Sequence, residues 1–391
     1  MTSGGRLRSI TVAALIVFTP SGAAAQTPSP SVSAGFGVDT TITDVHNVFS
    51  LVRAYLARPD TSARTRGLWT SSTEFDRRIG DVTAGRVYQG FPATLVGVIP
   101  AVPNDSVYVV RILYARADSA QGIGPLALQR LYAVRERGSP FGFRLSGALP
   151  RMTEPWARRT KGSIAFWYAP GTNPNQAKID SAAYFVDSVA RLFKVPAPRH
   201  LDVYIGSSMD DVYRAIGIDF FPEPSGPGLR SGGLNIGSIL LVGNPEIGEA
   251  YFHEFVHSVL GPNLPQRNGF INEGVATWLG GSRQRTAKEM YALLHKYQTN
   301  DSTLTLSGLF RSGFSDSDQI RAADLLYGSG ALVANAVFRK SGIAGVRRLF
   351  GVSGDADAIL RAIATELGLP TNDPAAIDRW WREEAARASQ P

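Results

Sequence analysis

The sequence predicts an α+β protein of two domains, on three observations. One helical segment near the N-terminus is followed by a long stretch that is mostly strand-like. Beyond Gly281 the apolar spacing is helical to the end. The 391 residues exceed what one ordinary hydrophobic core accommodates. We therefore expect an N-terminal helix with a curved antiparallel sheet, and then a domain with a small mixed sheet and a mostly helical C-terminal half.

The first 25 residues have the three parts of a secretory signal. Arg6 and Arg8 are basic, Ile10 to Phe18 is apolar, and small residues lead up to Ala25. The apolar stretch is shorter than the about 20 residues of a membrane span, although an uncleaved anchor stays open. We expect cleavage near Ala25, a flexible lead-in over residues 26–38, and a periplasmic or secreted protein whose mature chain has no transmembrane segment.

Residues 39–150 are predicted to form an α+β accessory domain. Thr43 to Ala57 has apolar residues at helical spacing. Branched and aromatic residues, separated by Gly, Pro, Asn and Asp, then predict four strands: Thr94 to Ile99, Val107 to Tyr114, Leu126 to Val134 and Phe141 to Leu145. Prolines and basic residues in Pro150 to Lys161 mark the expected domain boundary.

Residues 160–391 are predicted to form the second domain. Its first half alternates strand-like and helical segments, and Gly-Pro-rich Phe221 to Gly233 is predicted to be a loop. The expected strands are Ile164 to Tyr168, Leu201 to Ile205 and Leu234 to Val242, and the expected helices are Gln176 to Phe193, Met209 to Ile216, Glu246 to Leu260 and Phe270 to Leu279.

Composition excludes several classes of site. The chain has no cysteine, which removes disulfides, thiolate metal ligands and cysteine nucleophiles, so any metal must be held by nitrogen and oxygen. The net charge of +7 is modest for this length, and no basic cluster is interleaved with aromatic residues. We therefore expect no nucleic-acid partner.

The predicted helix Glu246 to Leu260 contains His253-Glu254-Phe255-Val256-His257. Side chains four residues apart project from the same face of a helix, so both imidazoles can reach one ion at the about 2.0–2.1 Å of a zinc–nitrogen bond. Glu254 lies about 100° around the helix from His253, where its carboxylate flanks the metal and can take a proton from water. The alternative to a metal site is that the two histidines align by chance and serve no metal.

A third ligand is predicted from the next helical segment. A catalytic zinc ion takes three protein ligands and keeps one open position. Glu273 follows His257 by 16 residues, and the Pro, Asn and Gly between them suit a reversal that returns Glu273 to the histidines. A carboxylate stabilised by the helix dipole is the alternative. We expect one zinc ion per chain on His253, His257 and Glu273.

The pairing of His-Glu-x-x-His with the downstream Asn272-Glu273-Gly274-Val275-Ala276 resembles the gluzincin metallopeptidases, in particular the bacterial peptidase-MA-like group. The resemblance covers roughly residues 160–370. It implies a zincin-like domain, a peptide or protein substrate, and Glu254 as general base. It also implies a tyrosine on a later helix that stabilises the oxyanion, for which Tyr327 is the candidate. A tyrosine of the core, near Leu326 and Leu332, is the alternative for this residue.

One segment departs from that family, and several questions stay open. Gluzincin aminopeptidases hold the substrate amine with a glutamate in Gly-x-Met-Glu-Asn, whereas Gly232 to Ile236 here has no acidic residue. A strand there can still pair with an extended peptide. A zinc hydrolase of a non-peptide substrate and a non-catalytic zinc-containing binding or assembly protein remain alternatives. The sequence does not specify substrate, endo- or exo-action, or oligomeric state.

Overall fold

The computed structural model describes residues 32–57, 67–70, 92–101, 106–118, 122–221, 232–265 and 267–390. The predicted signal segment and its cleavage site, and most of the predicted loop Phe221 to Gly233, lie outside these residues. Within the described part of the chain, no helix is both long and apolar enough to cross a membrane.

The elements in chain order are β1 (Val32–Ala34), α1 (Thr43–Leu56), β2 (Ala93–Pro100), β3 (Val107–Asp118), β4 (Gly122–Arg135), β5 (Phe143–Ser146), α2 (Leu149–Met152), β6 (Ala157–Lys161), β7 (Ile164–Tyr168), α3 (Gln176–Phe193), β8 (Leu201–Ile205), α4 (Met209–Ala215), β9 (Ile218–Phe220), β10 (Gly233–Ile236), β11 (Ile239–Val242), α5 (Phe252–Leu260), α6 (Gly269–Gly280), α7 (Ala287–Asn300), α8 (Leu306–Arg311), α9 (Gln319–Phe350), α10 (Ala356–Leu367) and α11 (Pro374–Ala388). The predicted α+β class is confirmed.

The chain forms two compact units. One contains the described residues up to Ala157 together with Ser208–Pro224, and the other contains Arg158–Ser207 and Ser225–Pro391. The helix and strand of residues 209–220 therefore belong to the N-terminal unit, since β9 pairs with β4. The functional division into an accessory domain and a metallopeptidase domain stays a prediction.

The N-terminal unit is built on an antiparallel meander of β2, β3, β4 and β5. Strand β1 adds to β2 in parallel. The apolar face of α1, with Val48, Leu51 and Val52 fully buried, shares one core with sheet residues such as Leu131 and Phe143. The predicted helix followed by an antiparallel sheet is confirmed in this unit.

The second unit contains a five-stranded mixed sheet in the order β10-β11-β8-β7-β6. Strands β7, β8 and β11 are parallel, and β10 runs antiparallel to β11 at one edge. Helices α3 and α5 share a core with this sheet, for example Val186 and Phe255 with Phe166, Val203 and Leu240. The rest of the unit is helical from α6 onward, as predicted.

Two predicted elements of this unit differ in the structure. Leu234 to Val242 is a hairpin instead of one strand, because Gly237 adopts a φ of +68° and turns the chain between β10 and β11. The helix predicted from Glu246 begins at Phe252. Residues before it form turns, in which the amides of Ile247 and Gly248 bond the Asn244 carbonyl and Gly248 has a φ of +52°.

Glycines let three helices approach backbone to backbone around the segment that carries chemistry. A Cβ on Gly274 of α6 would lie 2.4 Å from the carbonyl carbon of Gly330 in α9. A Cβ on Gly280 would lie 2.5 Å from the amide nitrogen of His253 in α5. Such distances are far inside van der Waals contact, so only glycine fits there. The two contacts fix α6 between α5 and α9.

Gly274→Ala is expected to destabilise the second unit by about 1–3 kcal/mol, because the added methyl meets backbone that cannot turn aside. Urea denaturation followed by tryptophan fluorescence measures the change. Gly351→Ala, at the end of α9, is the matched control, since its Cβ would make an ordinary 3.5 Å contact. Equal unfolding free energies for the two variants would contradict the close helix packing.

Candidate metal centre

Helix α5 presents His253 and His257 one turn apart on one face. It is apolar and buried along most of its length, including Phe255, Val256 and Val259. The two imidazole rings lie 5.0 Å apart, centroid to centroid. The two histidines therefore lie on one face of the helix, as their spacing predicted, and the buried apolar residues hold the helix in the core.

Helix α6 returns Glu273 to these histidines. The Asn268 side chain accepts from the amide of Ile271 and caps the helix start, which lies one short loop after α5. The Glu273 Oε2 atom is 3.1 Å from His253 Nε2 and 3.5 Å from His257 Nε2. One ligand atom from each of the three residues lies within 4.8 Å of the other two. The structure therefore brings together the three residues that the sequence predicted as metal ligands.

The spacing of the donor atoms fits a zinc ion. Two ligand atoms bound at about 2.0–2.1 Å to one tetrahedral zinc ion lie about 3.3–3.4 Å apart. The two distances from Glu273 Oε2, 3.1 and 3.5 Å, bracket that value. Two neutral imidazoles and one carboxylate are also a donor set that zinc accepts at catalytic sites. The donor types and the two distances from Glu273 therefore suit a zinc ion.

Two further groups orient the histidines. His253 donates from Nδ1 to the Gly281 carbonyl at 2.8 Å, and His257 donates from Nδ1 to Asn272 Oδ1 at 3.2 Å. A proton held on Nδ1 leaves Nε2 of each ring as the atom that faces Glu273. Asn272 lies within the Asn-Glu-Gly-x-Ala motif, but the sequence pattern predicts no role for it, and it predicts none for Gly281. Their positions beside Glu273 and at the end of α6 were the available signal.

Charge and burial oppose each other at this centre. Burial disfavours protonation of His257, but the charge of Glu273 and hydrogen bonds outweigh it and raise the pKa of His257 to about 9. For Glu273, burial is outweighed by the charge of His257 and by hydrogen bonds from both histidines, so the pKa of Glu273 is lowered. The charges of Glu273 and His257 thus stabilise each other within the buried centre.

Glu254 is buried, with 5% of the residue exposed, on the helix that carries both histidines. The edge strand β10 is tied to this helix, because Asn235 donates from Nδ2 to the Glu254 carbonyl at 3.0 Å and to Ser258 Oγ at 3.1 Å. The hydrogen bonds of the described residues include none to the Glu254 carboxylate. Its charge acts on His257 and Tyr327, so it lies in the electrostatic range of both.

Tyr327 is also brought to the centre. It lies on α9, three residues before Gly330, and its ring centroid is 5.8 Å from that of His253 at an interplanar angle of 79°. Burial, together with the charges of Glu273 and Glu254, raises the pKa of Tyr327 well above its usual value. The phenol therefore stays protonated at neutral pH and can donate a hydrogen bond.

A buried carboxylate anchors the start of α9 near Tyr327. Asp324 is 2% exposed and accepts from the Tyr297 hydroxyl at 3.0 Å. Arg283 and Arg285 each lie 3.4 Å from its Oδ1 atom. Burial raises the pKa of Asp324 against the opposing effect of these partners. The turn that supplies the Gly281 carbonyl is thus linked to the helix that supplies Tyr327.

No protein-family model and no curated protein matches the sequence. Among solved structures, the chain is similar to a two-domain M1 zinc metallopeptidase bound to L-tryptophan, at 15% identity over 77% of this chain with a TM-score of 0.35. It is also similar to an M1 zinc metallopeptidase from Deinococcus radiodurans bound to a Tyr-Ser-Ala substrate, at 16% identity over 75% of this chain with a TM-score of 0.37. The chain spans 64% of the length of each.

Proposed function

We propose that this protein is an exported zinc-dependent peptidase that hydrolyses peptide bonds, with Glu254 as its general base. The convergence of His253 Nε2, His257 Nε2 and Glu273 Oε2 carries the proposal, since these atoms are spaced for one zinc ion. Three protein ligands, with 24% of the Glu273 side chain exposed, suit a catalytic site with an open position better than a closed structural site.

His253, His257 and Glu273 would hold the zinc ion, which would polarise a carbonyl oxygen and lower the pKa of water toward about 7. The Glu254 carboxylate takes a proton from the water that attacks the scissile carbonyl and returns it to the departing amine. Its burial keeps competing solvent away from that carboxylate. Glu254 thus acts as the base in the first half of the reaction and, once protonated, as the acid in the second half.

Among the described strands, one edge of the mixed sheet is formed by β10, and an extended peptide can pair with such an edge. Strand β10 lies at one end of the mixed sheet and is hydrogen-bonded through Asn235 to the helix that carries Glu254. Backbone groups on an edge strand can pair with a substrate backbone, which fixes its direction without reading its side chains. This feature supports a peptide substrate over a non-peptide one.

Tyr327→Phe is expected to lower kcat by about 100-fold with little change in KM, because the phenol would donate to the oxyanion that develops in the transition state. Zinc content should stay unchanged. Tyr291→Phe is the matched control, since Tyr291 is a buried tyrosine whose hydroxyl bonds the Ala331 carbonyl, away from the three ligands. Equal losses of kcat in both variants would mean that Tyr327 only packs the core.

The direct test is turnover of a mixed peptide library by protein lacking residues 1–25, with zinc supplied, and with a chelator as control. We expect new peptide termini that depend on zinc. Zinc binding without any cleavage would favour the alternative of a non-catalytic zinc protein. Fractionation of the expressing cells tests export, and retention of the full chain inside them would contradict that part of the proposal.

A further inference from the structure

A cavity of about 540 Å³ adjoins the metal centre. One wall is the turn from Gly281 to Thr286, which follows α6. Another part of the wall is formed by Ile247 and by Ala250 to His253, at the start of α5. His253 is common to the cavity and to the three predicted ligands. Its volume is in the range of pockets that bind small ligands or substrate side chains.

The cavity wall is positively charged. Arg283, Arg285 and Lys288 line it, and none of its lining residues is acidic. One carboxylate, Asp324, is shared by both arginines, so it offsets only one of the two charges. The acids that are chain neighbours of lining residues, without lining the cavity themselves, are Glu246, Glu249, Glu254 and Glu289. Glu249 accepts from the Tyr168 hydroxyl and the Asn175 amide, and Glu289 accepts from the amide and hydroxyl of Thr286 in a capping box. An excess of positive charge therefore faces the cavity.

Arg283 has donors for which the described part of the chain offers no acceptor. Its side chain is only 2% exposed. Nη1 donates to the Ile320 carbonyl at 3.1 Å and faces Asp324, whereas Nε and Nη2 are buried without a hydrogen-bond partner. A buried guanidinium nitrogen without an acceptor is costly, and such groups call for an unseen partner. A planar anion is the acceptor that a guanidinium edge fits.

We propose that this cavity is a substrate subsite that binds a peptide carboxylate, either an acidic side chain or the C-terminal carboxylate. The assignment rests on the proposed peptidase function. Guanidinium groups bind carboxylates with paired hydrogen bonds, and Arg283, Arg285 and Lys288 together place such donors beside a metal ligand. Peptidase action would then favour acidic residues or chain ends next to the cleaved bond.

Binding is best measured on zinc-loaded Glu254→Gln protein, which leaves the peptides intact. Four otherwise identical peptides carry either Glu or Gln at one position and either a free or an amidated C-terminus. We expect one carboxylate to tighten Kd at least about tenfold. Which arm shows the gain tells whether the side chain or the chain end is bound.

Two substitutions locate the effect. In the same background, Arg285→Gln should remove most of the carboxylate preference, and Lys288→Gln should reduce it, while the Kd of the fully neutral peptide stays the same. Arg285 is replaced first because, in Arg285→Gln protein, Arg283 still pairs with the buried Asp324 carboxylate. Lys296→Gln is the matched control for Lys288→Gln. Lys296 lies exposed on α7, the helix that also contains Lys288, and it does not line the cavity.

Equal affinity for all four peptides, or no binding of any of them, would overturn the subsite. So would a carboxylate preference that survives Arg285→Gln, Lys288→Gln and Arg283→Lys, the last of which keeps a positive charge for Asp324 but removes the unused guanidinium donors. The peptidase proposal fails separately. If protein with Glu254 intact binds the acidic peptides preferentially but never cleaves any peptide, the cavity assignment stands and the hydrolytic function does not.

Discussion

Replacing Glu254 with Gln is expected to lower kcat for peptide hydrolysis by about 100- to 10,000-fold, the usual contribution of a positioned general base. The amide has the size of the carboxylate but cannot accept the proton of the attacking water. Because Glu254 is not one of the three converging ligands, zinc content and thermal stability should stay at the wild-type values. Hydrolysis rates and metal analysis on the same preparations measure both effects.

Glu246→Gln is the matched control for this change. Glu246 precedes the same helix, is exposed, and its backbone carbonyl accepts from Lys178 Nζ at 2.7 Å, so the side chain has no part in the centre. Its variant should hydrolyse peptides at the wild-type rate. Full activity in Glu254→Gln would refute the base assignment, and loss of zinc in that variant would mean that Glu254 helps to hold the metal.

Glu273→Ala is expected to weaken zinc binding by more than about 100-fold. Loss of a residue that only hydrogen-bonds to a metal ligand typically weakens metal binding by about 10- to 100-fold, and loss of a ligand itself should cost more. The Glu273 Oε2 atom is the one that faces both histidine Nε2 atoms. The remaining two imidazoles make an incomplete set for zinc. Competition with a coloured chelator measures the affinity, and hydrolysis should fall with zinc content.

Thermal stability gives a second measure of the same loss. A ligand that binds only the folded state stabilises the folded protein, and the stabilisation grows with the ratio of the free ligand concentration to Kd. Added zinc should therefore raise the Tm of the wild type and of Glu383→Ala, an exposed glutamate on α11, but not that of Glu273→Ala. An equal zinc-induced shift in all three proteins would place the metal elsewhere.

Much of this architecture could be predicted from local sequence. Helix α3 and strands β7 and β8 have the predicted bounds, because burial periods of about 3.6 and 2 residues are local properties. The same locality placed His253 and His257 on one face. Glu273 was predicted from the need for a third ligand, and the structure places it beside the two histidines.

Other features depend on contacts between distant residues. Local pattern extended the α5 helix back to Glu246, but turns bonded to Asn244 delay its start to Phe252. Pattern also assigned residues 209–220 to the second domain, whereas pairing of β9 with β4 places them in the N-terminal unit. Neither the start of α5 nor the unit that contains residues 209–220 can be predicted from the spacing of apolar residues within the segment itself.

The types of the proposed ligands, the helical spacing of the two histidines and the proposed base between them follow from the local sequence alone. The tertiary structure turns both Nε2 atoms toward Glu273, through the Gly281 carbonyl and Asn272, and it brings Tyr327 next to His253. The reason is that spacing along one helix follows from its 1.5 Å rise per residue. The approach of separate helices instead depends on contacts such as Gly274 with Gly330, whose partners are far apart in the chain.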